Sequence, residues 1–191
     1  MAKVTRGRAG REQRREETLA VYGATLAQML QAHIKPDSGA RLLHIGSPGA
    51  AQLAGQIAHR FDTGELVICV YTYDELEEAR AELAGLGNVH VINELEDLDE
   101  DEPPFDIVSC IAPYHLGRDT VIDYIEQAVD RLAPDGALYL AGDRQHELDR
   151  YVEALSRRVR DVKEVAGNGQ YRVFAAQGRN MRKIGTISGR R

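Results

Sequence analysis

Short runs of consecutive apolar residues alternate along most of the chain with longer stretches in which apolar positions recur every three or four residues. Leu19, Tyr22, Leu26, Met29, Leu30 and Ile34 have the second spacing and predict a helix over about 11–34. The run KPDSG (35–39) breaks it through its proline and glycine. Strands are then expected at RLLHIG (41–46), ELVICVY (65–71), NVHVIN (88–93), FDIVSC (105–110) and GALYLAG (136–142). Helices are expected between and after them, at 50–61, 73–86, about 119–132 and about 146–158. The closing runs VKEVAG (162–167) and YRVFAAQ (171–177) flank the turn residues NGQ and predict an antiparallel hairpin. Nearly continuous apolar strands separated by amphipathic helices describe an α/β fold, its sheet mostly parallel and covered by helices on both faces. No internal repeat is present.

Composition narrows the class without changing the architecture. A chain of 191 residues suits one domain, and 43% hydrophobic with 28% charged residues is the balance of a soluble globular protein. No apolar run approaches bilayer length, and the basic start MAKVTRGRAGREQRREE is not followed by the apolar core of a secretory signal, so a cytoplasmic location without membrane attachment is expected. Cys69 and Cys110 lie in separate strands with no metal-ligand spacing and read as buried free thiols; no metal site is expected. Charge adds more. Residues 1–17 carry six basic and three acidic groups, 18–164 twelve and twenty-seven, and 165–191 six and none. The expected division is a basic N-terminal tail (1–17), a domain (18–178) and a basic C-terminal tail (179–191), with ELEDLDEDEPP (94–104) as an acidic surface loop. Basic ends on an acidic body suit a phosphate backbone, and equally suit solvated tails.

In an open parallel sheet the chemistry lies beyond the carboxyl ends of the strands. After the first strand comes His44-Ile45-Gly46-Ser47-Pro48-Gly49-Ala50, where Gly46 and Gly49 are placed for a tight turn close to a ligand. Further on, FDIVSCIAPYHLGRDT (105–120), LAPDGALYLAGDR (132–144) and NGQYRVFAA (168–176) follow one another. This succession resembles the class I S-adenosylmethionine-dependent methyltransferases, and among them the small-domain enzymes that methylate guanine N2 in ribosomal RNA. Their patterns read FDxIVSNPPFHxG, LxPGGxLxLVANR and N-x-x-F-K-V. The likeness covers about residues 38–177 and implies a Rossmann-like sheet, S-adenosylmethionine as cofactor and RNA as partner, ribosomal RNA or the ribosome in particular, with a protein partner as a further option.

Carried over residue by residue, the resemblance assigns Ile111, Ala112, Pro113 and Tyr114 to the catalytic motif and His44, Gly46, Gly49, Tyr71 and Glu94 to the cofactor site. Three of these depart from the family. Ile111 stands where an asparagine accepts a hydrogen bond from the target amine, leaving the backbone carbonyl near Ala112 as the acceptor. His44 replaces the acid at the methionine end of the cofactor, and Tyr71 the acid that takes the ribose hydroxyls; Glu94 keeps its acidic character. Losing two charged acceptors, at about 1.5–3 kcal/mol each, is enough to move cofactor affinity from micromolar to millimolar.

Several side chains keep two readings. Tyr114 stacks on a base or caps the sheet; His115 contacts a base or holds its loop through a backbone hydrogen bond; His44 is a neutral buried imidazole or a ligand. Arg118 and Asp119 are placed to pair at the start of the following helix, and Arg144 to hold its loop or touch phosphate. The chain as a whole therefore reads as a methyltransferase acting on RNA or as a non-catalytic descendant that binds RNA or the ribosome, with a pocket rebuilt for another small molecule as a third option.

Overall fold

The structure is a computed structural model and describes residues 3–46, 49–60, 64–99 and 101–179. In chain order the elements are α1 (Lys3–His33), β1 (Arg41–Ile45), α2 (Ala50–Ile57), β2 (Glu65–Cys69), α3 (Tyr73–Leu83), β3 (Val89–Ile92), β4 (Phe105–Ile111), α4 (Arg118–Arg131), β5 (Leu132–Asp143), α5 (Leu148–Ser156), β6 (Val159–Gly167) and β7 (Tyr171–Arg179). They form a seven-stranded sheet in the order β3-β2-β1-β4-β5-β7-β6, with β1 to β5 parallel and the β6–β7 hairpin antiparallel. This is the predicted fold class, with each expected strand and helix present.

Period-two alternation divides the core. Leu42, Leu66, Ile68, Ile107 and Ile111 pack under α1, α2 and α3, while Leu43, Val67, Val108, Leu138 and Leu140 pack against α4 and α5. In α1 the buried residues Tyr22, Leu26, Leu30 and Ile34 recur every fourth position, so one stripe faces the sheet. Upstream the stripe ends. Residues 12–18 are all exposed, yet the helix runs on to Lys3 rather than starting near 11. Met1, Ala2 and 180–191, parts of the expected tails, lie outside the described residues.

Two boundaries moved for identifiable reasons. β5 begins at Leu132 because Leu132 pairs with Phe105 before a bulge resets the register to Ile107–Ala137. The acidic segment is not wholly a surface loop. It forms a 3-10 turn at Leu95–Asp97, Leu95 and Leu98 are buried, and Arg131 donates to the carbonyls of Leu95, Leu98 and Asp99 at 2.9–3.2 Å. Cation donation to three carbonyls holds that backbone down even though most of its side chains face water.

Gly49, at the start of α2, packs closely against α1. Gly49 has φ +101°, and a Cβ built on it would lie 2.6 Å from the Gly23 carbonyl carbon and 2.7 Å from its oxygen. Gly49→Ala therefore combines left-handed strain with a backbone clash, and is expected to destabilise the protein by about 2 kcal/mol or more. Urea unfolding at neutral pH measures this as a lowered midpoint at unchanged slope.

Candidate functional site

After β1 the chain moves outward to β2 and β3, then returns to β4 on the other flank of β1, so the strand order reverses between β1 and β4. A crevice at such a reversal is where ligands bind in open α/β sheets. The predicted residues converge there. Gly46 ends β1, Tyr71 follows β2, Glu94 follows β3, and Ile111 to Tyr114 close β4. Ser47 and Pro48 of the first loop lie outside the described residues.

His44 sits within β1, directly across from Ser109 of β4, and is only 1% exposed. Its Nδ1 lies 2.8 Å from Ser109 Oγ, and its buried Nε2 has no partner among the described residues. Burial pushes its pKa down to about 3, so the ring is neutral. The reading as a neutral buried imidazole holds, satisfied at one nitrogen. Gly46, with φ +145°, has no open space above it: an added Cβ would meet Ile111 Cβ at 3.0 Å and the Ile111 nitrogen and oxygen at 3.2 Å. Gly49 faces Gly23 in the same way. Both glycines permit close approach, and what approaches is the chain's own backbone.

Tyr71 lies beneath the same edge. Its hydroxyl faces the Ile111 carbonyl at 3.5 Å, its ring meets Tyr124 edge-on at 5.0 Å, and burial holds its pKa well above the ordinary tyrosine value. The carboxylate nearest this strand end, Glu75, accepts hydrogen bonds from the backbone nitrogens of Tyr71 and Thr72 at 3.1 and 3.0 Å, capping α3 reciprocally with Thr72. Glu94 is exposed at the start of its 3-10 turn. A cavity of about 320 Å³ opens beside the crevice between α1, α2 and α3, with Glu75, Glu78 and Glu82 on its wall. Of the predicted cofactor residues, only Gly49 borders it.

On the catalytic side Ile111 and Ala112 are buried, at 0% and 2% exposure. The Ala112 carbonyl, expected to remain as the acceptor for a target amine, is already engaged: Tyr22 of α1 donates to it at 2.8 Å and the Tyr114 amide at 2.9 Å. Tyr22 is the functional residue that sequence reasoning missed. Its signal was a polar-tipped ring in an otherwise aliphatic stripe, which demands a buried acceptor somewhere.

Tyr114 extends this aromatic cluster. It meets the Tyr22 ring edge-on at 5.1 Å and lies flat against His146, with centroids 3.8 Å apart and planes 4° apart. His115 Nδ1 is buried without a partner among the described residues. Backbone bonds hold its loop, from Leu116 to Pro113 and from Gly117 to Tyr114. Asp143, in the family's asparagine place, is buried and accepts from the Gln145 amide at 2.7 Å and from Gln170 Nε2 at 2.8 Å, tying the β5–α5 turn to the terminal hairpin. Arg118 pairs with Asp119 at 3.4 Å, as expected. Arg144 is exposed, and its backbone nitrogen donates to Gln170. Both cysteines are free and buried, with thiol pKa values pushed up to about 12, chiefly by burial.

Comparison with known proteins gives a consistent placement. A family model, the methyltransferase small domain, matches residues 23–175. Among solved structures, the chain is similar to the T. thermophilus 16S rRNA N2 G1207 methyltransferase (RsmC), in complex with AdoMet and guanosine, at 21% identity and a TM-score of 0.63. That match covers 81% of this chain and 38% of that one. TrmN from Thermus thermophilus matches at 22% identity and TM-score 0.62, over 80% of this chain and 48% of that one. The N-methyltransferase NodS from Bradyrhizobium japonicum WM9, in complex with S-adenosyl-l-homocysteine, matches at 15% identity and TM-score 0.64, over 81% and 85%. No curated protein matches the chain in sequence. The chain belongs to the methyltransferase small domain family, whose cofactor is S-adenosylmethionine.

The residues present do not fit that cofactor. A ligand bearing ribose hydroxyls and an ammonium group needs charged acceptors at the ends of β1 and β2, and here a neutral imidazole turned into the sheet and a neutral tyrosine stand there. On their Cβ side the two loop glycines are filled by Ile111 and Gly23.

His44 makes this electrostatic change measurable. It stays neutral in the fold, whereas the unfolded chain takes up a proton below about pH 6.5. Its contribution is therefore present above pH 6.5 and is lost as pH falls toward about 3. Replacing His44 with glutamine is expected to flatten the decline in unfolding free energy between pH 7 and pH 4 by up to about 1.4 kcal/mol per pH unit, measured by urea denaturation of both proteins at each pH.

Proposed function

We propose that this chain is a methyltransferase-fold RNA-binding protein of the cytoplasm that no longer transfers a methyl group. The observation that carries the reading is the Tyr22 hydroxyl on the Ala112 carbonyl, 2.8 Å apart and buried. An acceptor already holding two internal donors has no lone pair left to aim a target amine, and in-line transfer depends on such positioning. The neutral residues at positions 44 and 71 support the same conclusion from the cofactor side.

Support for RNA comes from charge and from form. The first 17 residues carry six basic groups and the last 27 carry six with no acid, against a strongly acidic middle. Residues 12–18 of α1 are exposed throughout and carry three glutamates beside Arg14 and Arg15, so the basic excess of this end of the sequence lies in residues 1–11. Neutralising phosphates through such residues releases counterions and makes binding salt-dependent. Among the described residues no helix is long and apolar enough to cross a membrane.

A second reading, methylation of guanine N2 in ribosomal RNA, is favoured by one specific observation: the similar RsmC structure holds AdoMet and guanosine. Two measurements separate the readings. Isothermal titration with S-adenosylmethionine is expected to give no binding at about millimolar ligand with folded protein, and micromolar binding would establish the second reading instead. RNA affinity is expected to fall by about tenfold or more between 50 and 200 mM salt. Affinity independent of salt would remove the case for the basic ends.

A further inference from the structure

The basic excess of the N-terminal end lies on a helix that outruns the body it packs on. Residues 12–18 of α1 are exposed and residues 3–11 continue the same helix, so about 24 Å of it, at 1.5 Å per residue, extends upstream of the buried stripe that starts at Tyr22. A polar helix of that length is marginal in water until another surface covers it. Beside its packed end opens the cavity of about 320 Å³ between α1, α2 and α3. Ala20, Ala24 and Ala50 line it with nothing larger than methyl groups, and α3 contributes Glu75, Glu78 and Glu82. Glu75 caps its own helix. Glu78 and Glu82 are exposed and have no ion pair among the described residues, and Val21, next to Ala20, is 63% exposed. The cavity thus pairs an apolar lining with two carboxylates that lack a cation.

Lys3, Arg6, Gly10, Gln13, Glu17, Ala20 and Ala24 succeed one another at alternating spacings of three and four, which places them on one face of α1, the face that borders the cavity. This face is basic at one end and small at the other. Two copies of it laid antiparallel are complementary, because the register that sets Gly10 of one copy against Ala20 of the other also sets Gln13 against Glu17 and Arg6 against Ala24. We propose that the protein forms a two-fold symmetric dimer in which the N-terminal part of α1 from each copy lies along α1 of the other. Lys3 and Arg6 then reach Glu78 and Glu82 of the second copy, and symmetry makes every contact twice. Gly10 and Ala20 carry no bulk, so the two helices come close. The same cations cannot serve the carboxylates of their own chain: α1 is continuous from Lys3 to His33, which holds Arg6 about 20 Å or more from Ala20 and Ala24. Complementarity within one sequence that one copy cannot satisfy points to a second copy. The proposal does not rest on the RNA-binding reading. Where the two meet, cations held by carboxylates are withheld from phosphate, so RNA and the second copy compete for the same residues.

Sedimentation equilibrium of the whole chain, at about 50 μM protein and about 50 mM salt, is expected to give twice the mass of one chain, with the dimer weakening as salt rises. Glu78→Lys with Glu82→Lys in one protein, and Lys3→Glu with Arg6→Glu in another, are each expected to raise the dimer Kd about tenfold or more. Mixed in equal amounts, these two variants are expected to recover the dimer, since each supplies the charges that the other now requires. Gly10→Leu, which alters no charge and favours the helix, is expected to weaken the dimer through bulk at the closest approach. Circular dichroism melts establish that each variant is folded. A monomeric native chain overturns the proposal, and so does an undiminished dimer in any variant, which puts the interface elsewhere. Two monomeric charge variants whose mixture stays monomeric overturn it as well. Loss of the native dimer on removing residues 180–191 would assign the carboxylates to the basic C-terminal segment instead.

Discussion

A hydroxyl taken out of water must find an acceptor, and for Tyr22 of α1 that requirement is met at the carboxyl end of β4. The Tyr22 hydroxyl on the Ala112 carbonyl is one hydrogen bond, contributing about 1 kcal/mol net, but leaving that buried hydroxyl without an acceptor would cost about 1–3 kcal/mol. The bond therefore fixes where α1 lies. With Tyr22 anchored, Gly23 lies against Gly49, and the stripe continuing through Leu26, Leu30 and Ile34 covers one face of the sheet. Tyr22 also presents its ring edge to Tyr114 and Tyr171, so the platform at the top of β4 and the terminal hairpin depend on the same helix.

The departures from the family pattern become intelligible as one change. An acid at position 44 would lie in a core where an isolated charge is prohibitively costly, whereas a neutral imidazole sharing one hydrogen bond with Ser109 is tolerated. Tyr71 brings a ring whose polar tip faces the Ile111 carbonyl, and Ile111 brings apolar volume against Gly46. Each replacement exchanges a group that needs a ligand or water for one that the protein itself packs. The three substitutions and the packing of α1 against the end of β4 therefore support one another.

The fold was legible because it rests on periodicity. The apolar runs of β1 to β5 and the Asn168 turn of the hairpin are local signals, and each element except the start of α1 formed within a few residues of its expected place. His44 as a buried ring was legible from its apolar surroundings. What periodicity does not encode is which distant groups meet. Tyr22 and Ala112 are separated by ninety positions, and Tyr114 and His146 meet from loops on either side of α4 and β5. The buried Leu95 and Leu98 were hidden by acidic neighbours, since charge runs report the solvent side of a segment and not its anchors.

The layout also supports the proposal that a binding surface outlasts a catalytic one. Transfer chemistry needs the crevice, the carbonyls at the end of β4 and a carboxylate at each of two strand ends to be correct together, so the loss of one leaves the others without purpose. A stacking face and a set of exposed cations tolerate change one residue at a time, because each contributes independently and none must be placed to within a fraction of an ångström. Tyr114 belongs to both sets. It stands after β4, where the family resemblance places an aromatic beside the reacting atoms, and it is half-buried under the ring of His146. On the proposed reading, Tyr22 supports from beneath a tyrosine that methyl transfer would no longer use.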